Sequence, residues 1–133
     1  MEKGTLVLTR SDIQNALSLA EYLPVIEEAH ALHAQGKVYA PDLLHADVRN
    51  GEFHLKTGGI CYGNGVKING GFPRNMENYG LPNILGIIYI CDARNGSPIA
   101  IMDSVTISKW RTGAATAVAA KYLAPEGRGQ LGV

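Results

Sequence analysis

The segment Tyr62-Gly-Asn-Gly-Val-Lys-Ile-Asn-Gly-Gly-Phe-Pro73 constrains the fold more than any other stretch of the chain. From Gly65 to Asn69 apolar and polar residues alternate, which is the period of a strand whose two faces meet different surroundings. Val66 and Ile68 point one way, and Lys67 and Asn69 the other. Glycines 63, 65, 70 and 71 flank that alternation. Glycine admits close backbone approach and unusual dihedrals, as the floor of a ligand pocket requires. Such a strand needs sheet partners, and the sequence offers them on both sides.

Upstream, Glu52-Phe-His-Leu-Lys-Thr57 alternates after the turn signal Asn50-Gly51. Downstream, Leu85 to Cys91 is an Ile-rich apolar run, expected for a strand buried on both faces. Asp92 to Ser97 reads as a turn, after which Pro98 to Met102 returns as a partner strand. Asn95-Gly-Ser97 has the letters of a glycosylation acceptor but is better explained as turn chemistry.

Helices frame these strands. Thr9, followed three residues later by Asp12, predicts an N-cap for a helix over Arg10 to Leu17. Tyr22, Val25, Ile26, Ala29 and Leu32 predict a second helix from Leu19 to Gln35, closed by Gly36. Pro24 argues that its regular part starts near Pro24 itself. Asp103 or Ser104 should cap a last helix from Val105 to Leu123, whose small alanine-rich surface suits close packing on a sheet. Strands and helices together make an α/β chain.

With 133 residues, 46% of them hydrophobic and 18% charged, the chain has ordinary globular composition and the length of one domain. Twelve basic residues balance twelve acidic ones, so bulk charge gives no reason to expect nucleic acid or an anionic membrane as partner. Any bound anion must be held locally. No apolar run is long enough for a signal peptide or a membrane helix, and the expected compartment is the cytoplasm. Cys61 and Cys91 lack metal or disulfide spacing and read as reduced thiols in or near a core.

Lys67 is the first chemical candidate. A lysine on the concave face of a glycine-flanked strand can lose affinity for its proton and then exchange one with a carbonyl or imine. An edge-strand lysine that discourages aggregation explains the pattern equally well. Arg111, in Lys109-Trp-Arg-Thr-Gly113, offers a planar guanidinium suited to a carboxylate. By pattern alone a surface arginine is the better reading. Lys56 shares a strand face with His54 and supplies a second cation, or simply a solvated face. Gly127-Arg-Gly129-Gln-Leu-Gly132 has the letters of a dinucleotide fingerprint without the preceding strand or following helix. His30 and His33 lack a third ligand, and no metal set is expected.

Taken in order, Gly65 to Asn75, Gly80-Leu-Pro82, Ile88 to Asp92, Gly96 to Met102 and Arg111-Thr-Gly-Ala-Ala115 resemble the ornithine cyclodeaminase/mu-crystallin family across nearly the whole chain. The resemblance implies an NAD(P)-dependent enzyme in which a substrate-binding and dimerisation domain, of α+β class with a mixed β-sheet and flanking helices, precedes a Rossmann domain. It implies that Lys67 is the active-site lysine beside the substrate α-carbon and nitrogen. Arg111 would bind the substrate carboxylate, and Thr112 would lie near the cofactor, NAD or NADP. It further implies a homodimer acting on a small amino or imino acid, by cyclodeamination or by imine or keto-acid reduction. A noncatalytic binding or dimerisation module, as in the crystallin branch, is the alternative. Residues 1–124 would be the substrate domain, with 125–133 opening the connection to an absent cofactor domain. Two departures stand out. Leu43 occupies the place of a common carboxylate-binding arginine, for which Lys56 is the expected substitute, and His54 occupies that of an acidic substrate contact.

Overall fold

The computed structural model describes residues 4–39, 42–61 and 63–125. Among the described residues seven strands form one mixed sheet, accompanied by four helices. In chain order these are β1 (Leu6–Leu8), α1 (Arg10–Ala16), α2 (Leu19–Ala34), β2 (Val38–Tyr39), β3 (Leu43–Val48), β4 (Gly51–Ile60), β5 (Gly63–Gly71), α3 (Asn75–Tyr79), β6 (Ile84–Cys91), β7 (Pro98–Asp103) and α4 (Val105–Leu123). The sheet runs β1-β7-β6-β5-β4-β2, and β3 shares the outer edge of β4 with β2. Only β1 and β7 pair in parallel among the described strands. The expected α+β class is the observed one.

Local signals explain most of the helix ends. Thr9 and Asp12 form a capping box, with Asp12 Oδ2 accepting from the Thr9 backbone N–H at 2.8 Å. Gly36, at φ 68°, closes α2 in the left-handed conformation expected of a C-terminal glycine. The helix does not wait for Pro24, however. It begins at Leu19 because Glu21 accepts from the Ser18 backbone N–H at 2.8 Å and from its hydroxyl at 2.7 Å. Pro24 therefore lies inside α2, where the loss of one backbone bond is offset by packing. Tyr22, buried two residues earlier, meets Trp110 of α4 edge-on with ring centroids 5.5 Å apart. Glu27 accepts from Lys121 Nζ at 2.9 Å and from the Tyr122 hydroxyl, fastening the far end of α2 to α4.

Two further expectations are corrected. Val48 pairs with Gly51, so the hairpin turn is Arg49-Asn50, with Asn50 at φ 72°. Gly51 is a strand residue, needed because a Cβ there would strike the Gly71 carbonyl and the Phe72 ring. Cys61 is exposed rather than near a core, while Cys91 is half-buried, and both are free thiols. β2, β3 and α3 add to the elements that the sequence patterns mark. Asn95 does serve its turn, accepting from the Ser97 N–H at 2.9 Å.

The helices cover one face of the sheet. Ala100, pointing to that face, is buried beneath them with Ile13 of α1 and Ala114 and Val118 of α4. The other face carries Val7, Leu44, Phe53, Ile87 and Ile101, all exposed, with Val7 reaching 74%. A concavity of about 750 Å³ opens there, lined by Phe53, Ile68, Phe72 and Leu85 among others. No helix of the structure is long and apolar enough to cross a membrane. Tyr62, Pro41 and the segment 126–133, with its glycine letters and most of the expected connection, lie outside the described residues.

Candidate active site

Lys67 sits mid-strand on β5, between Lys56 of β4 and Ile88 of β6 in the ladder. Direct cross-strand pairing puts the two lysines on one face, the helix-covered one, with their Cβ atoms as near as sheet geometry allows. Asn69, two residues on, shares that face and ties it to α4. The Ser104 hydroxyl donates to Asn69 Oδ1 at 2.8 Å, and the Ser104 N–H donates to the Gly86 carbonyl at 3.0 Å. Ser104 is completely buried. Gly86 leaves the room: a Cβ there would collide with the Ile68 carbonyl and Asn69. The capping question is thereby resolved. Asp103 Oδ1 accepts from the Val105 N–H at 2.9 Å, whereas the Ser104 side chain is committed to the sheet.

Seven residues further along α4, about two turns, stands Arg111. It is exposed, yet its guanidinium lies close enough to act on Lys67. The Lys67 ammonium binds its proton less tightly than an ordinary lysine. Burial is the first cause, followed by the positive charges of Arg111 and Lys56. None of these three cations forms an ion pair among the described residues. Three converging, uncompensated cations on a half-buried face make a place for an anion, and a carboxylate can accept from guanidinium and ammonium together. Thr112 is exposed beside Arg111. Its hydroxyl donates to the Ser108 carbonyl at 2.7 Å, so its oxygen can still accept a hydrogen bond.

The registers place the residues at the two departures noted in the sequence. Leu43 lies directly opposite Lys56, so the lysine occupies the neighbouring position on the same face. His54 is opposite Asn69 and next to His45, which sequence reading had not singled out. His45, Glu52 and His54 gather at the far end of the same face. Beside the lysine pair, Gly58, Gly63, Gly65 and Ile90 line a shallow concavity of about 390 Å³. The 750 Å³ concavity is on the opposite face and is not lined by Lys67, Lys56 or Arg111.

The family model described as the ornithine cyclodeaminase/mu-crystallin family matches residues 3–133 of this chain. The chain belongs to the ornithine cyclodeaminase/mu-crystallin family. Alanine dehydrogenase of Archaeoglobus fulgidus is 32% identical over 120 residues, covering 90% of this chain and 37% of that protein. The solved archaeal alanine dehydrogenase dimer with bound NAD superposes with a TM-score of 0.88 at 31% identity, over 92% of this chain and 38% of that one. The Δ1-pyrroline-2-carboxylate reductase of Thermococcus litoralis, solved with NADH and L-proline, gives 0.83 at 31% identity, over 92% of this chain and 39% of that one. This chain thus spans less than half the length of these members of the family.

Proposed function

We propose that this chain is the substrate-binding part of an NAD(P)-dependent enzyme that acts on an α-amino or imino acid. The observation that carries the reading is the half-buried Lys67, its proton affinity lowered, between the free cations Lys56 and Arg111. Arg111 and Lys56 hold the substrate carboxylate. Lys67 Nζ then faces the carbon and nitrogen next to that carboxylate, where it takes a proton from the amine or returns one to the imine. A lowered pKa suits that exchange, because more of the neutral amine is present near neutrality.

A bound nicotinamide would accept or supply the hydride at the substrate α-carbon. The family resemblance assigns Thr112 to contact with such a cofactor. Among the described residues no glycine-rich turn joins a parallel strand to a helix, since Thr9 links β1 to α1. The dinucleotide is therefore assigned mainly to chain outside residues 1–124, which act as the substrate and dimerisation unit. The two relatives described above are a dehydrogenase and a reductase. That supports hydride transfer without ring closure as the first reaction to test, with cyclodeamination as the second.

The partner in this reading is a second copy. The bare apolar sheet face is of the kind that soluble chains cover, and an archaeal relative was solved as a dimer. Its compartment is the cytoplasm, in keeping with two free thiols. The central test is Lys67→Ala in the full-length protein, assayed with NAD(P) and candidate amino acids in both directions. Turnover should fall at least a thousandfold with far-UV circular dichroism unchanged. Undiminished turnover would remove Lys67 from the chemistry.

A further inference from the structure

The β3–β4 hairpin carries a side-chain cluster to which the reaction proposed above gives no part. Strand alternation puts His45 and Asp47 of β3 on the same face as Glu52 and His54 of β4, and the register sets His45 against His54. The two imidazoles lie 4.7 Å apart, centroid to centroid, and tilted. Both turn their Nε2 atoms to one carboxylate: His45 to Glu52 Oε2 at 3.0 Å, and His54 to Glu52 Oε1 at 3.3 Å. One donor atom from each of the three lies within 4.8 Å of the others. Gly71 makes room for this arrangement, since a Cβ there would press on Glu52 Cγ and Oε1 at 3.3 Å.

A carboxylate hydrogen-bonded to two imidazoles would explain the gathering only if both N–H groups were well aimed. His54 Nε2 is sealed from solvent and has no hydrogen-bond partner, although Glu52 is 3.3 Å away. A polar atom left so costs free energy unless something else satisfies it. Imidazole and carboxylate donors at about 2.0–2.2 Å from one ion are separated from each other by roughly 3–3.5 Å. The two contacts to Glu52 have that spacing.

The geometry points to a binding site for a divalent transition-metal ion of the zinc class, with His45 Nε2, His54 Nε2 and Glu52 as its protein ligands. Two imidazoles and one carboxylate suit such an ion better than the hard, all-oxygen cations. The ligands are each about half exposed, so water completes the coordination, and the Asp47 carboxylate, 3.4 Å from His45 Nε2, lies beside it. The ion would clamp β3 to β4 four residues from Lys56 at one end of the cluster, Glu52, and two at the other, His54.

The experiment is zinc titration of the chelator-stripped full-length protein by calorimetry at pH 7.5. One equivalent per chain should bind, at least tenfold more weakly in His45→Gln and in His54→Gln. His30→Gln/His33→Gln should bind as the parent does. Without any substitution, zinc should protect His45 and His54, but not His30 and His33, from diethyl pyrocarbonate, read by peptide mass mapping. Absence of stoichiometric binding, unchanged affinity in both hairpin variants, or protection confined to the α2 histidines would each overturn the assignment. None of these readouts depends on turnover, so the outcome is separate from that for Lys67.

Discussion

The Ser104 hydroxyl donates a 2.8 Å hydrogen bond to Asn69 Oδ1, joining the start of α4 to the strand that carries Lys67. Because Asn69 and Lys67 share a face and Arg111 follows Ser104 on the same helix, this bond relates the positions of the two candidate site cations. Ser104→Ala leaves a buried amide oxygen unsatisfied, which costs about 1–3 kcal/mol. Denaturant unfolding should read that loss, and KM should rise as Arg111 loses its anchorage. Gly86→Ala, which forces a methyl against Asn69 and the Ile68 carbonyl, should destabilise by about 1–3 kcal/mol or more from overpacking. Parental stability in both variants would show that the junction is not tightly packed.

Lys56 faces the proposed carboxylate site from the adjacent strand, opposite Lys67. Lys56→Met should raise KM more than it lowers kcat, because its proposed role is binding. Steady-state kinetics in the full-length enzyme distinguish this from the reverse split, which would give Lys56 a part in the chemistry.

Lys67 itself should weaken the fold while serving the reaction. Its folded-state pKa lies below the ordinary lysine value, so the folded chain releases this proton before the unfolded chain does. Stability then rises with pH between the lowered value and the ordinary one near 10.5, and below that interval the charged form carries its full cost. Lys67→Met should raise the unfolding midpoint at neutral pH and flatten the alkaline slope. A lowered midpoint in a well-folded variant would contradict the burial argument.

Asp92 gives the opposite sign. Hydrogen bonds from the Arg94 side chain and backbone hold its pKa at about 2, below the ordinary 3.8. Its contribution is present above 3.8 and is lost as pH falls through about 2. Asp92→Asn should reduce the steepness of acid unfolding in that window, modestly, because the pair is exposed. Urea melts at stepped pH provide the comparison.

The bare sheet face makes a prediction about assembly. Phe53→Asp and Ile87→Asp place charge on exposed apolar positions of that face and should leave the monomer folded. Light scattering should show the full-length protein shifting from dimer to monomer. A dimer that survives both changes would have to use another surface.

Much of the fold was legible because its signals are local. Thr9 with Asp12 and Gly36 punctuate helices through bonds made within a few residues, and the alternation around Lys67 needs only the two-residue period of a strand. Pro24 misled for the same reason: a local penalty was read without the Ser18–Glu21 box and the Tyr22–Trp110 contact that outweigh it. Gly51 was taken as turn chemistry, whereas its absent side chain makes room for Gly71 and Phe72, neighbours some twenty residues away.

The sequence by itself determined the strand and helix types, the neutral charge balance, the family resemblance, and the faces of Lys67 and Lys56. Only the tertiary structure decided that those two lysines stand directly opposite one another, that Ser104 reaches Asn69, and that His45 joins Glu52 and His54. It alone decided which sheet face remains bare. Periodicity assigns a side chain to a face, but not a partner to that side chain. Partners follow from register, and register is set by how strands and helices from distant parts of the chain pack together.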